Sequence, residues 1–129
     1  MHRILKVFKA LSDETRLRIV NLLLERECSV CELVQAMRVS QTRASRGLTT
    51  LHDAGLVKAR RDGLWVLCSI DENSMKRAYT GLSQLIGSAL KGNELAKLDR
   101  ERLQRAVRQG PCIEIFRLLA VEKMHSGSR

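Results

Sequence analysis

Two of this chain's four cysteines, Cys28 and Cys31, stand in a Cys-x-x-Cys spacing; the others are Cys68 and Cys112. That spacing keeps two soft sulfur ligands within one helical turn and suits a thiophilic ion. It also resembles a redox dithiol, although no thioredoxin-like strand–helix–strand pattern surrounds it. Each cysteine taken singly reads equally as a small core residue. A little further on, Ser40-Gln41-Thr42-Arg43-Ala44-Ser45-Arg46 offers a different chemistry. Gln and Arg make bidentate contacts with adenine and guanine edges, so Gln41 and Arg46 are candidate base readers. Ser40, Thr42, Arg43 and Thr49 are candidate phosphate ligands, and Ser45 lies beside Arg46 one turn into the same segment.

The elements around these residues follow from caps and periodicity. Ile4, Leu5, Phe8 and Leu11 recur at helical spacing. Ser12 reads as the N-cap of a second helix that starts at Asp13 and carries Leu17, Val20 and Leu24 inward. Ser29 with Glu32 forms a capping box for a short helix, Val30 to Met37, so Cys31 sits in its first turn, where a helix dipole favours a thiolate. Ser40 caps a further helix to about Ala54, with Ala44, Leu48 and Leu51 inward and Thr42, Arg43, Ser45, Arg46, Thr49 and Thr50 on the opposite face. Two helices joined by Arg38-Val39-Ser40 match a helix-turn-helix. Gly47 within the second costs about 1 kcal/mol relative to alanine and reads equally as a close approach, by DNA or by another helix, or as a tolerated exposed glycine. Leu56 to Arg60 and Leu64 to Ile70 alternate as strands around Arg61-Asp62-Gly63, a small β-wing whose Arg60 and Arg61 at the tip would reach a flanking minor groove or its phosphates, or else belong to a solvated charged hairpin. On the second strand Cys68 shares a face with Val66 and Ile70, packed under the wing. Beyond Asp71, Met75, Tyr79, Leu82, Ile86 and Ala89 form one apolar helical stripe that a small domain has difficulty burying, which points to dimerisation. Glu94 to Gln109 reads as a charged amphipathic helix, Gly110-Pro111 breaks it, and Cys112 to about Met124 reads as a last helix.

Composition agrees with these elements. A chain of 129 residues that is 44% hydrophobic can bury one core. Its net charge of +9 favours a polyanionic partner. No uncharged run approaches the ~20 residues of a membrane-spanning helix, and no signal-peptide apolar region follows Met1-His2-Arg3, so a cytoplasmic protein with reduced thiols and no membrane partner is expected. An enzyme is not expected, because no nucleophile–base pairing, Gly-rich phosphate loop or open-coordination metal motif is present.

Phe8-Lys9-Ala10-Leu11-Ser12-Asp13-Glu14-Thr15-Arg16-Leu17-Arg18-Ile19, Cys28-Ser29-Val30-Cys31-Glu32-Leu33, Ser40-Gln41, Ser45-Arg46-Gly47-Leu48 and Gly63-Leu64-Trp65-Val66 resemble the ArsR/SmtB family of bacterial metal-responsive repressors over roughly residues 4 to 90. Gly47 departs from the family, which commonly has histidine there. The resemblance implies a mainly α winged helix-turn-helix with a small β-hairpin wing. It implies a homodimer that occupies a palindromic double-stranded operator and leaves it when an inducer binds. Residues 1–90 would form the DNA-binding and dimerisation domain, with the helix-turn-helix at about 30–54 and the wing at about 56–70, and residues 91–129 a C-terminal helical extension.

Arsenite-sensing members often carry Cys-Val-Cys before the recognition helix; here Cys31 matches in register and Cys28 is displaced by one residue. As(III) or Sb(III), which prefer three thiolates, is then the expected inducer, bound by Cys28, Cys31 and a third thiol, Cys112 ahead of Cys68, within or between subunits. No organic cofactor is expected. Zinc-sensing relatives use histidines and carboxylates on the dimer helix, but no histidine lies between Asp71 and Leu90, and His2, His52 and His125 read as surface residues. Cd(II) or Pb(II) remains open as the inducer, as does a disulfide or polysulfide bridge, Cys31 to Cys112 or Cys28 to Cys31, formed on oxidation. A constitutive architectural DNA binder with structural cysteines is a further alternative.

Overall fold

The computed structural model describes residues 1–78 and 80–109. Helix α1 (His2–Leu11) ends where the Ser12 hydroxyl donates back to the Phe8 carbonyl at 2.7 Å. Ser12 is thereby spent on closing α1, so Asp13 rather than Ser12 caps α2 (Glu14–Glu25), its Oδ2 accepting from the Arg16 N–H at 2.9 Å. A two-residue strand, β1 (Cys28–Ser29), leads directly into α3 (Val30–Met37). The expected capping box is present: the Glu32 N–H donates to Ser29 Oγ at 3.3 Å and the Ser29 N–H to Glu32 Oε1 at 3.0 Å. Arg38 turns the chain at φ +57°, and Ser40 Oγ accepts from the Arg43 N–H at 3.1 Å to start α4 (Gln41–Asp53).

Strands β2 (Val57–Asp62) and β3 (Trp65–Ile70) form the wing around a two-residue turn, Gly63-Leu64. The sheet is antiparallel in the order β1-β3-β2, with Cys28 opposite Cys68 on one side of β3 and Ala59 opposite Cys68 on the other. Strand β1 had no signature in the sequence, because two residues carry no periodicity and its partner lies forty residues away in register.

The apolar stripe beyond Asp71 is broken into α5 (Glu72–Ala78) and α6 (Leu82–Leu90). Gly81 stands between them at φ +86°, a conformation that costs other residues about 1–2 kcal/mol and that periodicity cannot register. Met75 and Ile86 still reach the core, while Tyr79 lies outside the described residues. Helix α7 (Glu94–Arg105) is capped by Asn93 and stops four residues short of the expected Gln109. It lies across α2 and α3 rather than extending away from them. Leu103 joins Ile19, Leu22, Leu33, Leu48 and Leu51 in one core, and the fully buried Asp99 receives Arg18 Nε at 2.7 Å. The same Arg18 donates to the Met37 carbonyl at 2.8 Å, tying α7 to the end of α3. Among the described residues no helix is long and apolar enough to cross a membrane.

Candidate DNA interface and thiol site

Helix α4 owes its two faces to its sequence. Ala44, Leu48 and Leu51 are fully buried, whereas Ser40, Gln41, Thr42, Arg43 and Arg46 are exposed at its capped end. The side chains grouped at this first turn and a half are therefore a glutamine, a threonine and two arginines, the donors and acceptors that reading base edges and gripping phosphates require. Thr49 is also exposed, though its hydroxyl donates to the Ser45 carbonyl at 3.0 Å. Ser45 itself is placed differently from the sequence expectation: it is 2% exposed and points away from the basic face. Its position on the helical wheel sits at the boundary of the two faces, beside the buried Leu48, and the packed side of α4 takes it in.

Gly47 explains how close that packing is. A Cβ there would stand 2.8 Å from Ile19 Cδ1, so the close neighbour is α2 and not a ligand. Beside this contact, Arg16 of α2 joins Arg43 and Arg46 in lining an open cleft of about 410 Å³ that also touches Asp13 and Thr50. Arg16 was not among the sequence-derived interface residues, because only the α2–α4 contact brings it to α4. Its guanidinium is already anchored, with Nε donating to the Ala10 carbonyl at 2.6 Å.

The wing differs from expectation in its tip. Strand β2 continues through Asp62, so Arg60 and Arg61 lie within the strand, opposite Leu67 and Val66, and Gly63-Leu64 form the end. Arg60 Nε donates to Glu27 Oε2 at 3.1 Å, and this hydrogen bond holds the Glu27 carboxyl below its ordinary range. Arg61 is exposed.

The cysteines occupy contrasting surroundings. Cys28 is 0% exposed in the core opposite Cys68, also 0% exposed, and its S–H donates to the Arg26 carbonyl at 3.3 Å. Burial pushes both thiols up, to about 12. Cys31, in the first turn of α3, is partly exposed. Its sulfur lies 3.0 Å from Ser29 Oγ and accepts the Gln109 N–H at 3.0 Å. The structure thus brings Cys28 to Cys68 and Cys31 to the segment after α7. Cys112 and His125 lie outside the described residues, and among the described residues no group of three or more His, Cys, Asp or Glu is arranged to hold a metal ion.

Glu32 anchors this region. Its 3%-exposed carboxylate accepts from Arg26 Nη2 at 2.6 Å and from Arg108 Nε at 2.9 Å, besides the Ser29 N–H. Burial pushes the Glu32 carboxyl up, but Arg26, the Ser29 N–H and Arg108 together bring it below the ordinary carboxylate value.

The family model for bacterial regulatory protein, arsR family, matches residues 13–59. The chain is 39% identical to the arsenic resistance transcriptional regulator ArsR1 of Pseudomonas putida over 67% of this chain and 62% of that protein. It is 41% identical to the cadmium resistance transcriptional regulatory protein CadC homolog of Staphylococcus aureus over 56% of this chain and 60% of that one. The chain therefore spans about 60% of the length of these curated relatives. A solved structure, the homodimeric winged helix-turn-helix DNA-binding domain of Mb0332 from Mycobacterium bovis, described as a possible ArsR-family transcriptional regulator, superposes with a TM-score of 0.59 at 30% identity, covering 72% of this chain and 82% of that one. Family and fold are those of DNA-binding transcriptional regulators and not of enzymes. A helix-turn-helix capped at Ser29 and Ser40, a short antiparallel wing and these likenesses lead to one conclusion: the chain belongs to the arsR family of bacterial regulatory proteins.

Proposed function

We propose that this protein is a cytoplasmic homodimeric repressor that holds a palindromic double-stranded operator and releases it when As(III) or Sb(III) binds cysteine thiolates. The DNA half of the reading is supported by the exposed face of α4. Gln41 and Arg46 read base edges, Ser40, Thr42, Arg43 and Thr49 hold phosphates, and Arg61 with Arg60 contacts DNA beside the wing. The dimer is supported by α1, where Ile4, Leu5 and Phe8 are 38%, 46% and 58% exposed, and by Leu85 of α6 at 65%.

The single observation that carries the sensing half is the placement of Cys31: a partly exposed thiol in the first turn of α3, the helix that leads into the reading helix. A soft ion fits this donor. Cys28, as folded, does not fit, since its sulfur is enclosed in the core and the thiol is held protonated by burial. Cys112 is three residues beyond Gln109 in sequence, and Gln109 touches Cys31, so three residues of chain, at most about 11 Å when extended, separate the second thiol from that contact. Cys31 and Cys112 are accordingly the principal ligands, with Cys28 joining only if β1 leaves β3.

Release of labelled operator DNA against As(III), Sb(III), Cd(II), Zn(II) and peroxide tests the proposal. As(III) or Sb(III) is expected to weaken operator binding by about 5- to 150-fold, the usual range of coupling between two sites. Cys31→Ser and Cys112→Ser should abolish the effect while keeping operator binding; undiminished arsenite release from Cys31→Ser overturns the assignment. The likeness to a cadmium regulator makes Cd(II) the competing inducer, and the same panel ranks it.

A further inference from the structure

We infer that residues 106–109 form a strap that carries the state of Cys31 to the wing, with Arg108 as the coupling residue. This rests on the reading of Cys31 as the sensing thiol, and it assigns the positioning groups through which that thiol acts. After α7 the chain becomes extended, with Ala106 at φ −68° and ψ 145°, and runs along one face of α3. Three successive residues grip that face. The Gln35 side-chain amide donates to the Val107 carbonyl at 2.7 Å and accepts the Val107 N–H at 2.9 Å, so a side chain stands in for a neighbouring strand. Arg108 Nε donates to Glu32 Oε1 at 2.9 Å. The Gln109 N–H donates to Cys31 Sγ at 3.0 Å.

Arg108 also faces the other way. Its guanidinium carbon lies 5.9 Å from the centroid of the Trp65 ring, within cation–π range, and Trp65 is the first residue of β3 after the wing turn. One side chain thereby joins the helix that bears Cys31 to the strand that forms the wing. Beyond Ala106, which packs against the core, the strap is held by polar contacts, since Val107 is 64% exposed and buries little apolar surface. Contacts of this kind release more readily than a packed core. The Gln109 N–H needs a sulfur lone pair directed at it. A bond formed from Cys31 Sγ to an ion or to carbon replaces the S–H hydrogen, whose sulfur lies 3.6 Å from the Gln109 carbonyl oxygen, and sets a bulkier group beside Gln109; displacement of Gln109 draws Arg108 away from Glu32 and Trp65.

Trp65 is the protein's single tryptophan, so its emission reports the Arg108 contact directly. The experiment uses the full-length protein with labelled operator and two actuators, As(III) and iodoacetamide. Iodoacetamide forms a carbon–sulfur bond at the thiolate and expels iodide, and peptide mass spectrometry identifies the alkylated site. Cys28 and Cys68 are shielded by burial, and the same treatment of Cys31→Ser measures what any other thiol contributes. In the parent, alkylation of Cys31 should shift Trp65 emission and weaken operator binding at least five-fold. In Arg108→Ala the emission should already be shifted, and alkylation should change operator affinity less than two-fold. Arg108→Lys, which keeps the charge beside Glu32, should recover part of the response.

Parent-like loss of operator binding on alkylation of Arg108→Ala overturns the strap, as does a Cys31 adduct in the parent that leaves both emission and affinity unmoved. If As(III) releases the parent and Arg108→Ala equally, the inducer assignment stands and the strap fails. If As(III) has no effect while alkylation acts through Arg108, the inducer assignment fails and the strap stands.

Discussion

Glu32 concentrates much of the chemistry of this protein in one carboxylate. Its place at the third position of a capping box was legible in the sequence, because Ser29 lies within one turn of it. Its two arginines were not, since Arg108 approaches from 76 residues away. The sign of its pH dependence follows from the direction of its shift. A carboxyl whose folded value lies below the ordinary 4.5 contributes its full stability above that value and loses it as pH falls through the lower folded value. Glu32→Gln is expected to cost about 2 kcal/mol at neutral pH, the scale of hydrogen bonds to a charged group, in urea unfolding. The gap between variant and parent should narrow as pH drops below 4.5. A gap unchanged at pH 3 would contradict the role given to the charge. The cysteines make the same point: Cys28 and Cys31 are three positions apart, yet one is enclosed in the core and the other meets solvent.

At the scale of elements, helix starts were readable to within a residue wherever a single side chain caps them, as Ser29 and Ser40 do. Two differences in helix extent have causes that hydrophobic periodicity does not register, one tertiary and one local. Helix α7 ends at Arg105 because the following residues are taken up by Gln35 and Glu32 of α3. The break between α5 and α6 is set by Gly81 at φ +86°. Gly81→Ala should therefore destabilise the fold by about 1–2 kcal/mol in urea unfolding, with no neighbour within 4 Å of the added methyl to confuse the result. A neutral or stabilising outcome would mean that the two helices are free to merge. The exposed and buried faces of α4 were likewise legible, apart from Ser45, which is 2% exposed at the boundary between them.

For the whole molecule, the exposed row Ile4, Leu5 and Phe8 is the feature a monomer has least reason to keep. Phe8→Asp, at a side chain 58% exposed, should leave the fold intact by circular dichroism, shift sedimentation from dimer to monomer, and weaken operator binding as two linked half-site contacts become one. A variant that still sediments as a dimer would move the interface elsewhere. Taken alone, the sequence determined the class of fold, the helix-turn-helix with its wing, the exposed basic face of α4 and the candidate thiols. Caps, periodicities and net charge arise from neighbours within a turn or two, so they are written in short stretches of chain. Only the tertiary structure decided which thiol is accessible, that Arg60 is held by Glu27, that α7 is bolted to α2 by Asp99 and Arg18 across 81 residues, and that the strap reaches Cys31 across 78. Those contacts join residues far apart in sequence, and they form only once packing has brought the helices together.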